Sequence, residues 1–185
     1  MHAGRCPSMH ELVLNLQTES AMEIEVILGD ITKLSTDAIV NAANCTLLGG
    51  GGVDGAIHRA AGPALLMECI KIGGGKTGEA YCTGAGKLPC KYVIHTPGPV
   101  YRDGKHGEPE LLANSYANSL KRAEENKCES IAFPCISTGV YGYPIEEAAE
   151  IAVKTVQAFS PVSLQKVIFC CFMPGDEAIY RRILG

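Results

Sequence analysis

Four short apolar runs constrain this chain most: Ile24 to Leu28, Ala38 to Val40, Ile131 to Phe133 and Val167 to Phe172. Lys91 to Thr96 adds a fifth candidate strand. All read as strands: Ala38 to Val40 is a continuous apolar run of the kind buried on both faces, and Val167 to Phe172 gives a last buried strand. The segments between them carry helical spacing. From Val53 to about Ile70 one helix is expected; Leu112, Tyr116, Leu120 and Ala123 mark a second, led by Pro109-Glu110; Ile145, Ala148, Ala149, Ala152, Val156 and Phe159 mark a third, opened after Pro144; Glu177 to Leu184 forms a fourth. Strands alternating with helices predict an α/β sandwich with a largely parallel sheet. Residues 1–21 read as an extension, with Leu12, Leu14 and Leu16 as a candidate extra edge strand, and 22–185 as one unit.

Charge and cysteine usage exclude several classes. A net charge of -4 without a basic stripe argues against a duplex nucleic-acid binder. The nine cysteines are odd in number and contain no CxxC pair, a poor fit to a disulfide framework or a zinc ribbon. Most of them have apolar or small neighbours and behave as small hydrophobes, which suits the reducing cytoplasm. No stretch approaches a membrane span, and the first residues do not read as a signal segment. The expectation is a soluble cytoplasmic monomer.

Ligands of parallel sheets bind outside the carboxyl ends of the strands, which directs attention to Gly29-Asp30-Ile31, Asn41 to Gly55, Pro134 to Gly142 and the segment from Phe172. The chain has 21 glycines, fifteen of them between Gly49 and Gly107. Four are consecutive, Gly49 to Gly52, immediately before a helix. Such a run suits backbone N–H groups that approach an anion with no side chain in the way. The stretch Ile136-Ser137-Thr138-Gly139-Val140-Tyr141-Gly142 follows another strand in the same manner, and two phosphate-cradling loops on one sheet edge imply a ligand of pyrophosphate size.

Other motifs fail on their context. Gly50, Gly52 and Gly55 satisfy GxGxxG, yet they do not follow a strand directly and no carboxylate stands near Ile70 to Lys76. Gly75-Lys76-Thr77 lacks the earlier glycine of a P-loop, since that position is Ile70. Cys135 lacks the arginine of a phosphatase loop, position 141 being Tyr, and reads as a packing residue.

The sequence resembles the macrodomains, in particular the MacroD-type branch, through GDIT at Gly29 to Thr32, DAIVNAAN at Asp37 to Asn44, GGGGVDGAIHRAAG at Gly49 to Gly62, VIHTPGP at Val93 to Pro99 and ISTGVYGYP at Ile136 to Pro144. The resemblance runs from about Met22 to Leu184; Gly75 and Ala85-Gly86 depart from the family's usual residues. It implies a three-layer α/β/α sandwich with a mixed, largely parallel central sheet, and an ADP-ribose-binding hydrolase that removes mono-ADP-ribose from acidic side chains and deacetylates O-acetyl-ADP-ribose, the alternative being a module that binds ADP-ribose without cleaving it. Asp30, Ile31 and Phe172 would then hold the adenine, and Ala42, Ala43, Gly49, Gly50, Gly51, Gly52 and Val53 one wall. Ser137, Thr138, Gly139, Val140, Tyr141 and Gly142 would wrap the diphosphate and distal ribose. Asn44, Asp54 and His58 would face that ribose as catalytic residues, with Asp54 and His58 on one helical face. Asp54 would orient the attacking water, with a basicity that its place in a helix's first turn is expected to lower. Neither a metal nor a cofactor is implied. The partners implied are ADP-ribose, mono-ADP-ribosylated proteins and O-acetyl-ADP-ribose.

Overall fold

The computed structural model describes residues 21–185; the edge strand expected at Leu12 to Leu16 lies outside them. The chain runs β1 (Glu23–Leu28), a 3-10 turn (Ile31–Lys33), β2 (Ala38–Ala43), α1 (Gly52–Ala61), α2 (Pro63–Ile72), β3 (Tyr81–Gly84), β4 (Tyr92–Pro97), α3 (Glu108–Glu125), β5 (Ser130–Phe133), α4 (Ile145–Ala158), β6 (Lys166–Cys171) and α5 (Pro174–Leu184). The six strands lie in the order β1-β6-β5-β2-β4-β3. All neighbouring pairs are parallel except β3 with β4.

The apolar runs of β2, β5 and β6 are covered on both faces, as a parallel sheet requires, whereas β1 at the edge buries Val26 and leaves Leu28 exposed. On one face, Ile57, Ala61, Leu65 and Cys69 of α1 and α2 share a core with Ile39, Val93, Ala132 and Ile168. On the other, Leu112, Tyr116 and Leu120 of α3, Ala149, Ala152 and Val156 of α4, and Tyr180 of α5 pack with Val40, Ile94, Ile131, Phe133 and Phe169. Alternate residues of β2 supply the two cores, so a slip of one residue would exchange them.

Two departures from the expected elements have local causes. The helix anticipated from Val53 to Ile70 is two helices, because Gly62 stands at φ 79° and Pro63 opens the next turn. β3 was not anticipated: Tyr81–Gly84 is four residues long, half-buried and antiparallel at the sheet edge, too short for its period to register. The closing helix also begins earlier than expected, at Pro174 rather than Glu177.

The connections fix where a ligand can enter. After β2 the chain proceeds to β3 and β4 on one side; after β5 it proceeds to β6 on the other. β2 and β5 pair only at Ala38 with Ile131 and Ile39 with Ala132, so their carboxyl ends are free to diverge. A crevice at such a reversal is the expected binding place in an open parallel sheet. At the opposite end, Asp37 ties the strand starts together: its carboxylate accepts from the backbone N–H of Glu129 at 2.8 Å and pairs with Lys91 at 2.6 Å.

The loop between β4 and α3 is pinned by one buried carboxylate. Glu108 accepts from the backbone N–H groups of Arg102 at 3.0 Å, Asp103 at 3.4 Å and His106 at 2.6 Å. Desolvation pushes this carboxyl up, but the backbone donors outweigh it and hold the group near 2, below its ordinary 4.5. A depressed pKa contributes stability above about pH 4.5, and that contribution is lost as pH falls through about 2. Glu108→Gln is therefore expected to melt several degrees below wild type at pH 7, with the gap closing between pH 4.5 and 2; a gap that does not depend on pH, followed by circular dichroism melts, would count against this account.

Candidate active site

The carboxyl end of β2 delivers a polar residue into an apolar layer. Asn41 points to the same side of the sheet as Ile39 and Ala43, toward α1, and is fully buried. Its amide nitrogen donates to Asp54 Oδ1 at 2.8 Å and lies 3.1 Å from His95 Nδ1 on β4. Asp54 itself is only 4% exposed, in the first turn of α1. His58, one turn later, brings Nε2 to 3.5 Å from the same carboxylate oxygen.

Burial dominates the electrostatics of Asp54. Desolvation raises its pKa, opposed by the hydrogen bond from Asn41 and the charge of His58. The pKa is thus raised rather than lowered as its place in the first helical turn led one to expect, because the loss of solvent outweighs the groups that favour the anion. The site holds a buried carboxylate of raised basicity, fastened by an amide.

The glycine run wraps this carboxylate closely. A Cβ on Gly50 would stand 3.1 Å from Asp54 Oδ2 and 3.2 Å from Asn44 Nδ2, and one on Gly55 would stand 2.4 Å from the Gly50 carbonyl oxygen. Gly49 lies against the His58 ring in the same way, at 3.4 Å. Gly51 has open space around its Cβ position, and Gly52 holds φ 58° as it enters α1. Val53 is half-buried. The N–H groups of the first helical turn have no acceptor within the helix, which leaves an anion-seeking helix end beside the run.

Asn44 fastens the approach to that run. Its Oδ1 accepts from the backbone N–H of Thr46 at 3.0 Å and its Nδ2 donates to the Gly49 carbonyl at 3.0 Å. Gly75, whose N–H donates to the Cys45 carbonyl at 2.8 Å and whose Cα faces the Tyr81 ring, supports the loop from behind. Of the residues expected in this wall, Ala43 faces the α1 core and Ala42 packs toward the opposite core, so only their backbones can meet a ligand.

The second wall folds on itself. Gly142 N–H donates to the Gly139 carbonyl at 3.0 Å and Tyr143 N–H to the Ser137 carbonyl at 2.9 Å. Ser137 is buried at φ 65°, and Gly98, after β4, approaches so closely that a Cβ there would stand 2.2 Å from its hydroxyl oxygen. Thr138 Oγ1 donates to the Cys135 carbonyl at 3.0 Å. Val140 is 97% exposed, and the Tyr141 carbonyl accepts from Tyr101 N–H at 2.9 Å, tying the wall to the loop that Glu108 pins. Cys135 packs with its Sγ 3.8 Å from that of Cys171, and this contact with burial pushes its thiol far up.

At the far end, Gly29 N–H donates to the Cys171 carbonyl at 2.9 Å, which joins β1 to β6 and brings Asp30 near Phe172. Asp30 Oδ1 accepts from Thr32 N–H at 2.9 Å and its hydroxyl at 2.7 Å, so this carboxylate caps the 3-10 turn. Ile31 is buried in the α1-side core. Phe172 is 78% exposed, which excludes a core role for its ring and leaves an aromatic face at the crevice rim.

Three residues in the buried layer had no expected role: Asn41, His95 and Thr83. The available signal was a polar residue inside each of two apolar strands, Asn41 in β2 and His95 in β4. The fold also gathers a Cys/His group that spacing does not show, the ligand atoms of His58, Cys69 and His95 lying within 4.8 Å of one another. His95 Nε2 is already 2.9 Å from Thr83 Oγ1, and burial pushes the Cys69 thiol up to about 11. Their chemistry is that of a hydrogen-bonded interior rather than of ligands poised for a cation.

Comparison with known proteins gives this geometry a context. The family model described as Macro domain matches residues 40–152. An O-acetyl-ADP-ribose deacetylase of Klebsiella pneumoniae (strain 342) is 59% identical over 173 residues, covering 89% of this chain and 98% of the relative. A mutant Oceanobacillus iheyensis macrodomain solved with ADPR superposes with a TM-score of 0.84 at 45% identity, covering 89% of this chain and 93% of that one. The Trypanosoma brucei macrodomain in complex with ADP-ribose gives 0.83 at 43% identity, over 92% and 73% of the two chains.

The close approach at Gly55 generates a test. Gly55→Ala must separate α1 from the Gly50 carbonyl, so it should destabilise the protein by about 1–3 kcal/mol even though alanine is the better helix former. Urea unfolding measures this; an unchanged or higher midpoint would show that the contact is loose.

Proposed function

As the chain belongs to the Macro domain family, we propose that it is an ADP-ribose-binding hydrolase that deacetylates O-acetyl-ADP-ribose and releases mono-ADP-ribose from acidic side chains of proteins. The observation that carries this reading is the buried Asp54 carboxylate, held at 2.8 Å by Asn41 between two glycine-lined loops. A binding module needs loops for phosphate but gains nothing from a desolvated anion of raised basicity beside the scissile bond. The named activity of the Klebsiella relative supports the deacetylase part of this reading, and the ligand of the Trypanosoma structure supports ADP-ribose as what the crevice takes.

In this reading adenine rests against Phe172, with Asp30 accepting from its amino group and the Ile31 backbone supporting the base. The first-turn N–H groups of α1 and the Ser137 to Gly142 loop hold the diphosphate. An acidic chain can do this because backbone amides supply the positive ends. Tyr141 covers the distal ribose and Asn44 holds its hydroxyls.

Asp54 orients a water and takes its proton as the water oxygen bonds to the acyl carbon of the ester. The bond from that carbon to the ribose oxygen breaks, the proton passes to that oxygen, and a carboxylic acid leaves as the ribose hydroxyl is restored. The substrate phosphate can share the proton, and His58 steadies Asp54 from one turn away.

Single-turnover release of acetate from O-acetyl-ADP-ribose, and of ADP-ribose from a glutamate-modified protein, tests both substrates. Asp54→Ala and Asn44→Ala are expected to lose about 100-fold or more in rate while still binding ADP-ribose. The acid limb of the wild-type profile should lie above pH 3.8, the ordinary aspartate value, because the active form is the anion and its pKa is raised. A wild type that binds ADP-ribose tightly but releases neither product would instead be a reader.

A further inference from the structure

Behind Asp54 lies a line of buried polar groups whose protons have determined places. Asn41 and His95 are register partners on β2 and β4, both fully buried, and Thr83 is nearly so. The Asn41 amide nitrogen has two hydrogens and no lone pair to offer. One goes to Asp54 Oδ1 at 2.8 Å; the other points to His95 Nδ1 at 3.1 Å, which must therefore be the unprotonated nitrogen. The His95 proton then sits on Nε2, 2.9 Å from Thr83 Oγ1. Thr83 can accept it because its own hydrogen goes to the Gly84 carbonyl at 2.9 Å.

This order is maintained by burial and has a cost. Desolvation, aided by the field of His58, depresses His95 to about 3, so it stays neutral and keeps its acceptor at neutral pH. Among the described residues the buried Asn41 carbonyl oxygen has no hydrogen-bond partner, a cost that an apolar side chain at that position would avoid. On the same face of β2 its neighbours Ile39 and Ala43 are hydrocarbon. What the line does achieve is to fix both hydrogens of Asn41, one of them on Asp54.

We propose that His95, anchored by Thr83, is a positioning residue that acts through Asn41 to hold the Asp54 carboxylate in the orientation and anionic state its water requires. This rests on the reading of Asp54 as the water-orienting group. The titratable groups around Asp54 are His58 on α1, Cys69 on α2 and Tyr141 of the second loop; among the described residues, the side-chain hydrogen bond to its carboxylate comes from Asn41.

The test compares wild type with His95→Leu and His95→Asn by two readouts, ester-hydrolysis kinetics and the NMR titration of a 13C-labelled Asp54 carboxyl. His95→Leu leaves an Asn41 hydrogen without an acceptor, so the amide turns away. The value of kcat should fall about 10- to 100-fold, with KM and the ADP-ribose Kd within about threefold of wild type. Asp54 should titrate at higher pH, having lost a bond that favours its anion.

His95→Asn places Oδ1 where Nδ1 stood, and should return kcat to within about threefold of wild type and Asp54 to its wild-type titration. Unchanged kcat and Asp54 titration in His95→Leu would overturn the proposal. So would a fall in kcat accompanied by a rise in Kd and KM, with no rescue by His95→Asn, the pattern of general misfolding. If wild type hydrolyses neither ester, the functional reading fails, and the positioning role is then decided by the Asp54 titration alone.

Discussion

The hydrogen bond from Asn41 to Asp54 joins the sheet to the helix that carries the chemistry. It crosses from the carboxyl end of β2 to the first turn of α1, between residues thirteen positions apart, and it spans the four-glycine run that leaves one element for the other. With that bond in place the run has little freedom: Gly50 is confined between Asp54 and Asn44, and Gly55 against the Gly50 carbonyl. Backbone amides serve as an anion cradle only when they are held in advance, since ordering them on binding would cost chain entropy at every glycine.

The same bond reconciles two demands on Asp54. Removed from water, a carboxylate gains basicity but tends toward its neutral form. A charge-assisted hydrogen bond favours the anion without returning it to solvent. Asn41 is suited to this because its amide donates twice and carries no charge of its own. A lysine there would lower the basicity that burial raises, and a second carboxylate would force one of the pair to stay protonated. The neutral imidazole behind it completes the arrangement with an acceptor that does not titrate near neutrality.

The layered fold was legible because burial on both faces leaves a strong mark in a strand: Ala38 to Val40, Ile131 to Phe133 and Val167 to Cys171 are all strands of the sheet. β3 was not, since four residues at an antiparallel edge carry too few periods. The break at Gly62-Pro63 was written in the residues but masked by helical spacing that continues on both sides. The two glycine-lined walls were legible as loops after strands. The line through Asn41, His95 and Thr83 was not, because it depends on the register of β2 with β4 and β4 with β3, which brings together residues more than fifty positions apart. Even the polar letters in apolar strands gave no partner until that register was known.

The glycine surplus has a different meaning from the one its local density suggests. Close approach to a ligand needs open space at the missing Cβ, and Gly51 and Gly139 have it. Gly50, Gly55, Gly75, Gly86 and Gly98 do not; their Cβ positions are already occupied by neighbouring atoms of the protein at 3.2 Å or less. At Gly86 the neighbour is the Ala61 carbonyl at the end of α1, at 2.3 Å, and at Gly98 it is Ser137 of the second wall. These glycines let loops pack directly on other loops and helix ends, so that the two walls are braced from behind. These five glycines therefore hold the crevice in shape, while Gly51 and Gly139 leave the open space a ligand needs.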